Sequence, residues 1–168
     1  VRLGFAVDSG IQGSLAGIYQ ISDEGRLSYA GGKLVNGLLT AEVSHFSTYA
    51  VLEYNKSFTD LVGHWAEQAV KALAAKQVVQ GTSDTKFSPN QQLTRAQFAE
   101  MLASALNLED AQGTIFTDVS SDAWYASAVA TAHQHGLVKG RSQDTFAPNA
   151  AVTREELAVM LFRAYQLK

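Results

Sequence analysis

The chain has 168 residues, of which 46% are hydrophobic and 17% are charged, and its formal net charge is −3. This length and apolar fraction suit one or two globular domains, while the slightly acidic balance lacks the concentrated positive surface that nonspecific nucleic-acid binding requires. The absence of cysteine excludes disulfides and thiolate metal sites. No apolar run approaches the roughly 20 residues that span a bilayer, so we predict neither a nucleic-acid partner nor membrane insertion.

Residues 1–56 carry a β-strand pattern. Short segments alternate apolar and polar residues, and glycine-containing turn sequences separate them. The predicted strands are residues 2–7, 15–21, 26–29, 33–43 and 49–54. Five short strands are few for an independent domain, and the chain begins inside the first of them. We therefore predict the C-terminal part of an antiparallel β-sandwich, whose earlier strands belong to a longer parent protein.

Residues 57–168 contain the same pattern twice, as 57–112 and 113–168. Trp65 and Trp124 each precede a phenylalanine, Phe87 or Phe146, by 22 residues. Each copy predicts a helix, a loop and a second helix, a unit too small to bury its apolar face alone, so it must pack against another copy. The predicted fold class is α+β and multidomain: a partial β-sandwich followed by an all-α bundle of two helix–loop–helix repeats.

Each first helix is predicted to begin near its tryptophan and to end at Gly81 or Gly140. Each second helix has apolar residues at helical spacing. These stripes, which we predict to be core, are Phe98, Met101, Leu102, Ala105 and Leu106 in the first repeat and Leu157, Met160, Leu161, Ala164 and Tyr165 in the second. Four further aromatic residues are predicted to anchor loops to the core: Phe58, Phe87, Phe116 and Phe146.

The second helices begin with a capping pattern. Thr94 and Thr153 stand at the predicted N-caps, and Gln97 and Glu156 follow three residues later. A threonine hydroxyl and a glutamine or glutamate side chain at these positions satisfy backbone N–H groups at a helix start. We predict a structural capping role for all four residues.

Arg95 and Arg154 occupy the first position of these helices in both repeats. A cation is mildly unfavourable there because the helix dipole is positive at this end, so its occurrence in both repeats suggests a role beyond holding the helix. Free N–H groups at a helix start, together with a guanidinium that can grip a carboxylate through two hydrogen bonds, would form an anion site. The alternative is a structural ion pair, for example with Asp60 or Asp118 of a neighbouring repeat.

Trp65 and Trp124 also recur at equivalent positions. Each could pack in the core or between repeats, or could present a flat apolar surface on which a sugar ring stacks. Gly81 and Gly140, besides ending helices, would let a ligand approach the backbone closely. These four residues join the two arginines as candidate ligand-binding residues.

No catalytic or metal site is supported by both repeats. His64, His133 and His135 have no histidine at the equivalent position of the other repeat, and they show no metal-ligand spacing. Asp60 and Asp118 fit turns or caps better than acid catalysis, and we find no nucleophile motif and no phosphate-binding loop. We therefore predict a protein that is not an enzyme and that has neither a metal nor a cofactor.

The ordered combination of these motifs resembles the S-layer homology domain family. The resemblance covers residues 57–168 and rests on a Phe-x-Asp opening, a tryptophan-led helix, a glycine, a Phe-x-Pro loop and a Thr-Arg helix start, each present twice. Gln97 departs from the usual glutamate of the family, which keeps the cap but loses a charge. Residues 44–51 resemble, more loosely, the closing strands of β-modules that often precede such repeats.

The resemblance implies a function. Domains of this family tether exported proteins noncovalently to the cell envelope, and in Gram-positive bacteria they bind secondary cell-wall polysaccharides that often carry pyruvate ketals on N-acetylmannosamine. By this resemblance, Arg95 and Arg154 would hold the ketal carboxylate. The two tryptophans would line the sugar-binding grooves, and the two glycines would leave space for the ligand.

Three repeats of this family commonly form a pseudo-threefold bundle with ligand grooves between neighbours. Two are present here, which leaves three alternatives open: a third repeat in the longer protein, a third repeat from a self-associated copy, or a protein with two repeats only. We therefore predict a noncatalytic, extracellular anchor that holds its parent protein to the cell wall or S-layer through an acidic polysaccharide. The alternatives are an assembly module that joins proteins at the cell surface, with the arginines in ion pairs, and the anchor fragment of a larger secreted glycan-active enzyme.

Overall fold

The computed structural model describes residues 1–113 and 115–167. Thr114 and Lys168, which fall within the predicted second repeat, lie outside the described residues. The described chain is a mixed α+β structure with two small antiparallel sheets and four α-helices. The strands are β1 (Arg2–Ala6), β2 (Ala16–Ile21), β3 (Leu27–Gly31), β4 (Lys33–Val35), β5 (Leu38–Glu42) and β6 (Thr48–Glu53). The helices are α1 (Glu67–Ala75), α2 (Arg95–Ala105), α3 (Ala126–Gln134) and α4 (Arg154–Gln166).

Two compact units make up the chain, Val1–Pro89 and Asn90–Lys168. The first contains the six described strands and α1, and the second contains α2, α3 and α4. The division falls inside the predicted repeat 57–112, so the two helices of that repeat lie in different units. The domain limits 1–56, 57–112 and 113–168, and the all-α bundle of two repeats, therefore stay predictions.

The strands form two three-stranded antiparallel sheets, in the orders β1-β5-β4 and β3-β2-β6. Ile18 on β2 and Leu39 on β5 are fully buried in one apolar cluster, so the two sheets share a core. An antiparallel sheet that buries one face alternates apolar and polar residues along each strand. This is the pattern from which we predicted strands in residues 1–56.

The predicted strand at residues 33–43 is wrong as a single element, because it is a hairpin. Asn36 and Gly37 separate β4 from β5, and both have positive φ, 51° and 76° respectively. Turns with this backbone conformation favour glycine and asparagine. β4 and β5 pair from Lys33 opposite Thr40 to Val35 opposite Leu38. An Asn-Gly pair between apolar segments is a strong hairpin signal, and it was present in the sequence.

α1 buries one face in the first unit. Val70, Ala74 and Ala75 are buried on the helix, and Phe58 and Leu61 ahead of it are buried as well. The central strand β2 reaches the end of α1, where the hydroxyl of Tyr19 donates to the carbonyl oxygen of Ala75. The strands and α1 therefore belong to one packed structure.

α2 packs against α3 in the second unit. Phe98 and Leu102 of α2 are buried in the same cluster as Val129 and Ala132 of α3. Phe146, from the loop that follows α3, is fully buried in this cluster too. The prediction that this phenylalanine anchors its loop to the core is confirmed.

Gly81 and Gly140 do not end helices, so that prediction is wrong. α1 ends at Ala75 and α3 at Gln134, and the left-handed residues that follow are Gln77 (φ 55°) and Gly136 (φ 70°). A residue in this conformation just past the last turn is a common helix stop. The stop at Gln77 was missed because a glutamine rarely adopts positive φ.

Leu161 and Tyr165 lie outside the core, contrary to the prediction from the apolar stripe of α4. Their side chains are 46% and 80% exposed, whereas Leu102, which is equivalent to Leu161 on α2, is 6% exposed. The physical reason is that α3 covers this face of α2, while on α4 the same face is left open by the described residues. The longest described helix has 13 residues, and no helix in residues 1–113 or 115–167 has the length and apolar character needed to cross a membrane.

Candidate functional site

Both second helices begin with a complete capping box. The hydroxyl of Thr94 accepts from the N–H of Gln97 at 3.2 Å, and the Gln97 side chain accepts from the Thr94 N–H at 2.9 Å. Thr153 and Glu156 repeat the arrangement at 3.2 Å and 3.0 Å. These bonds satisfy N–H groups that a helix start leaves without a partner, and they place both arginines at the first helical position.

Arg95 is held by internal partners. Its side chain is 2% exposed, and each of its three nitrogen atoms donates a hydrogen bond. Nε donates to the carbonyl oxygen of Phe146 at 2.8 Å, and Nη2 donates to that of Lys139 at 2.8 Å. Nη1 donates to Oε1 of Glu156 at 2.6 Å. The guanidinium also lies 4.6 Å from the centroid of the Phe146 ring, a cation–π contact.

The backbone at the start of α2 is closed as well. The N–H of Arg95 donates to the carbonyl oxygen of Ala150 at 2.9 Å, and the N–H of Ala96 donates to that of Pro148 at 3.0 Å. In return, the N–H of Val152 donates to the carbonyl oxygen of Leu93 at 2.9 Å. The first turn of α2 is thus paired with the Phe-x-Pro loop of the second repeat, and its N–H groups are not available to an anion in this structure.

Glu156 is the acid that pairs with two arginines. Besides Arg95, Arg141 donates from Nε at 3.2 Å and from Nη2 at 3.4 Å, and its side chain is 43% exposed. Burial acts to raise the pKa of Glu156, but the bond from the Thr153 N–H and the two guanidinium groups outweigh it, so this pKa lies below its ordinary value. Burial is also the main cause that lowers the pKa of Arg95, and Glu156 opposes it.

Arg154 has a different environment from Arg95, although the two are equivalent in the repeats. Its side chain is exposed, and its guanidinium makes no hydrogen bond or ion pair with any residue that the structure describes. The N–H of Arg154 likewise has no carbonyl partner within the described chain. The N–H groups of the Arg154 guanidinium and its backbone N–H are therefore free within the described chain, as an anion site requires.

Trp65 and Trp124 are on the surface, which contradicts the alternative that places them in the core. Trp65 is 90% exposed and Trp124 is 63% exposed. Each has an aromatic neighbour: the ring centroids of His64 and Trp65 are 5.5 Å apart, and those of Trp124 and Tyr125 are 5.2 Å apart. Each repeat thus presents a large apolar ring to solvent at the same point of its sequence.

Gly81 and Gly140 lie where a loop closes on a phenylalanine ring. A Cβ atom on Gly81 would stand 2.5 Å from the carbonyl oxygen of Lys86 and from the Phe58 ring. A Cβ atom on Gly140 would stand 2.7 Å from the ring of Phe116. The protein's own atoms therefore fill the space beside both glycines, and a ligand contact at either one stays a prediction.

Asp60 and Asp118 hold the Phe-x-Pro loops, as their predicted turn role requires. Each carboxylate accepts hydrogen bonds from two successive N–H groups of the loop, at 2.9 and 2.7 Å for Asp60 and at 2.8 and 2.7 Å for Asp118. For Asp60, the bond from the Phe87 N–H is the main cause of a lowered pKa. The internal ion pair of Arg95 is therefore with Glu156 rather than with either aspartate.

Two features of this site were not found from the sequence: the pairing of Glu156 with Arg95, and the presence of Arg141. A usable signal existed, because the second repeat has Glu156 and Arg141 where the first has Gln97 and Thr82. Two charges of opposite sign that appear together in only one repeat suggest a shared contact. Within the described residues, no group of three or more histidine, aspartate or glutamate side chains is arranged to hold a metal ion.

Comparison with known proteins identifies the repeats. The sequence profile of the S-layer homology domain matches residues 57–99 and 115–158. Amylopullulanase of Thermoanaerobacterium thermosulfurigenes is 38% identical over 142 residues, which are 83% of this chain and 8% of that protein. Exoglucanase XynX of Acetivibrio thermocellus is 35% identical over 133 residues, 79% of this chain and 12% of that protein. The surface-layer 125 kDa protein of Lysinibacillus sphaericus is 32% identical over 146 residues, 87% of this chain and 12% of that protein.

This chain spans only 8–12% of the length of these three relatives. The region that they share with it includes the S-layer homology part, and this part is not catalytic. The relatives include both S-layer proteins and glycan-active enzymes. The chain therefore belongs to the S-layer homology domain family, whose members are noncatalytic modules that anchor proteins to the cell wall.

Proposed function

We propose that this chain anchors its parent protein by binding an acidic secondary cell-wall polysaccharide that carries pyruvate ketals on N-acetylmannosamine. The observation that carries the proposal is the exposure of Trp65 and Trp124 at equivalent positions of the two repeats. An indole ring left in water forgoes the favourable burial of a large apolar surface. Its flat face suits the C–H face of a sugar ring, and two such faces on one chain suit a repeating polymer.

We assign the contact with the ketal carboxylate to Arg154. Its guanidinium is exposed and has no partner in the described chain, so it can donate two parallel hydrogen bonds to a carboxylate. Arg95 is bound to Phe146, Lys139 and Glu156. A ligand role for Arg95 would require these bonds to break. A ligand contact at Gly81 or Gly140 would likewise require the loops packed beside these glycines to move.

Cosedimentation with purified Gram-positive cell-wall sacculi tests this function. We expect the chain to pellet with sacculi, and to stay in solution after mild acid has removed the pyruvate ketals. Trp124→Ala and Arg154→Ala should each weaken pelleting, and their combination should abolish it. Matched controls are Phe46→Ala and Arg26→Ala, which remove an exposed aromatic residue and an exposed cation from the strand region.

Two outcomes would overturn parts of the proposal separately. Unchanged pelleting after ketal removal would reject the pyruvylated ligand but leave wall anchoring in place. Unchanged pelleting of the double variant, with its circular dichroism spectrum intact, would reject the assigned residues. Weak binding by each repeat would be strengthened when both bind one polymer, so pelleting should rise with sacculus concentration more steeply for the wild type than for either single variant.

A second candidate function, assembly with a further repeat, is favoured by the open face of α4. This face contains Leu161, Phe162 and Tyr165, which are 46%, 60% and 80% exposed. The equivalent face of α2 packs against α3, the alanine-rich first helix of the next repeat. A third repeat, supplied by a longer protein or by a second copy of this chain, would cover α4 in the same way.

Sedimentation velocity at increasing protein concentration tests this candidate. We expect the weight-average sedimentation coefficient to rise with concentration, and Phe162→Ser with Tyr165→Ser to keep it at the monomer value. Phe46→Ser, which removes an aromatic residue that is 86% exposed elsewhere, is the control. A constant monomer value for the wild type over the full concentration range would reject association between copies.

A further inference from the structure

The turn that follows α1 contains a residue that is unusual for its conformation. Gln77 has φ 55°, in the left-handed region, and the equivalent residue of the second repeat is Gly136, with φ 70°. Glycine adopts this conformation without steric cost, whereas a residue with a side chain does not. The first repeat thus has a glutamine at a position where glycine would be less strained. This suggests that the glutamine side chain makes contacts that compensate for the strain.

The side chain of Gln77 pairs with the edge of a sheet. Its Oε1 accepts from the backbone N–H of Tyr29 at 2.7 Å, and its Nε2 donates to the carbonyl oxygen of Leu27 at 2.9 Å. Both groups belong to β3, which is an edge strand because the sheet order is β3-β2-β6. The amide of Gln77 therefore satisfies one acceptor and one donor on an edge that no other described strand covers.

A second contact lies one strand further in. Tyr19 on β2 is 1% exposed, and its hydroxyl donates to the carbonyl oxygen of Ala75, the last residue of α1. Carbonyl groups in the last turn of a helix lack a partner within the helix, so this bond caps α1 with a residue of the sheet. The rings of Tyr19 and Tyr29 meet edge to face, with centroids 5.6 Å apart.

The two repeats differ at the positions that make these contacts. Ala75 is 1% exposed, whereas its equivalent in the second repeat is Gln134, which is exposed. Gln77 likewise has Gly136 as its equivalent. Among the described residues, no β-sheet packs on the first helix of the second repeat, and this repeat lacks both features. These two differences between the repeats therefore coincide with the place where the sheet docks.

We propose that Tyr19, Ala75 and Gln77 form a joint that fixes the β-module to α1, the first helix of the first repeat, as one rigid body. The partner of this docking site is the β3-β2-β6 sheet, recognised through its edge backbone groups and a buried tyrosine hydroxyl. The joint lies within the compact unit Val1–Pro89. In an anchor, it transmits force from the β-module into α1 without passing through a flexible linker. The joint does not depend on which ligand the repeats bind.

Hydrogen exchange measured by NMR on the whole chain tests the joint. Gln77→Gly relieves the backbone strain but removes both bonds, and we expect the amide of Tyr29 to exchange at least about tenfold faster, which corresponds to about 1.4 kcal/mol. The control is Asn107→Gly, since Asn107 also has positive φ (49°) after a helix, α2, but its side chain makes no hydrogen bond to a strand that the structure describes. That control should leave the exchange of Tyr29 unchanged.

Residual dipolar couplings provide the second measurement. In the wild type, the amides of β2, β6 and α1 should fit a single alignment tensor, and in Tyr19→Phe with Gln77→Gly they should require two. Gln77→Glu, which keeps the acceptor for Tyr29 and loses the donor to Leu27, should give an intermediate exchange rate and keeps the test usable if the double variant fails to fold. A single tensor in the folded double variant, or unchanged Tyr29 exchange in Gln77→Gly, would overturn the joint.

Discussion

The guanidinium of Arg95 and the carboxylate of Glu156 form an ion pair of 2.6 Å that joins the second helices of the two repeats. Arg154, which has the same position in its own repeat, has no such partner in the described chain. The arginine at the start of the second helix therefore has two different environments. In the first repeat it forms an ion pair with the second repeat, and in the second repeat it is exposed to solvent.

The first prediction compares the two arginines in stability. Arg95→Ala should lower the free energy of unfolding by about 3 kcal/mol, because it removes one of the donors to Glu156 and the Arg95 bonds to the carbonyl oxygens of Phe146 and Lys139. Arg154→Ala should change it little, since an exposed side chain without partners is removed. Urea denaturation followed by circular dichroism measures both. Equal losses for the two variants would show that Arg95 is not a structural residue.

The second prediction concerns acid. The folded pKa of Glu156 lies below the ordinary value of 4.5, so its ionised form stabilises the folded state. This contribution is fully present above the unfolded pKa and is lost as the pH falls through the folded pKa. Glu156→Gln should therefore be clearly less stable than the wild type at neutral pH, and the difference should shrink well below pH 4.5. A difference that is the same at both pH values would contradict this assignment.

The third prediction concerns Glu100 on α2. Burial raises the pKa of this carboxyl group, and no hydrogen bond from the described residues compensates for it. With a folded pKa above the unfolded one, the ionised group destabilises the folded state at neutral pH, and stability is regained as the pH falls through the folded pKa. Glu100→Gln should therefore raise the melting temperature at neutral pH but not in acid. A lower melting temperature at neutral pH would show that the charge of Glu100 is stabilising.

The fourth prediction concerns the loop glycines. Gly81→Ala and Gly140→Ala place a Cβ atom against backbone carbonyl oxygens and a phenylalanine ring. Overpacking of this kind costs about 1–3 kcal/mol, so both variants should melt at a lower temperature. Gly10→Ala is the matched control, since a Cβ atom there would meet no atom within 4 Å. Equal melting temperatures for all three variants would contradict this prediction, because they would show that the loops can move to accept the added Cβ atom at little cost.

The fifth prediction concerns alkali. Burial, followed by the nearby Tyr29 and Tyr54, raises the pKa of Tyr19 to about 12. Because the unfolded tyrosine ionises first, with a pKa of 10.0, stability should fall as the pH rises above that value. Phenolate absorbance during alkaline titration should show a late component that Tyr19→Phe removes. Persistence of that component in the variant would assign it to another tyrosine, such as Tyr29.

Much of the fold could be predicted because its determinants are local. The capping residues Thr94 and Thr153 and the alternating strands depend on neighbours in sequence, and these appear where local patterns place them. The stop at Gln77 could not be predicted in this way, because it depends on a strand that lies far away in sequence. Local rules favour glycine at such a position.

The candidate site was harder to predict because burial is decided by the neighbouring repeat. The sequence treats Arg95 and Arg154 alike, and only the packing of the Phe146 loop separates them. Leu102 and Leu161 likewise differ in burial, because α3 covers Leu102 and leaves Leu161 exposed. A repeat pattern therefore identifies equivalent positions, but the surroundings of each copy decide whether the side chain there is buried in contacts with the neighbouring repeat or exposed to solvent.

The reciprocal backbone bonds between Leu93 and Val152, and between Arg95 and Ala150, have a consequence for biosynthesis. As the chain emerges from the ribosome or a secretion channel, α2 lacks the acceptors for its first N–H groups until residues 148–152 have followed. The hydrogen bonds at the start of α2 therefore cannot form until the loop of the second repeat has been synthesised. Folding of each repeat should therefore follow its synthesis by about one repeat length. The segment made last would still be incompletely folded while it is translocated.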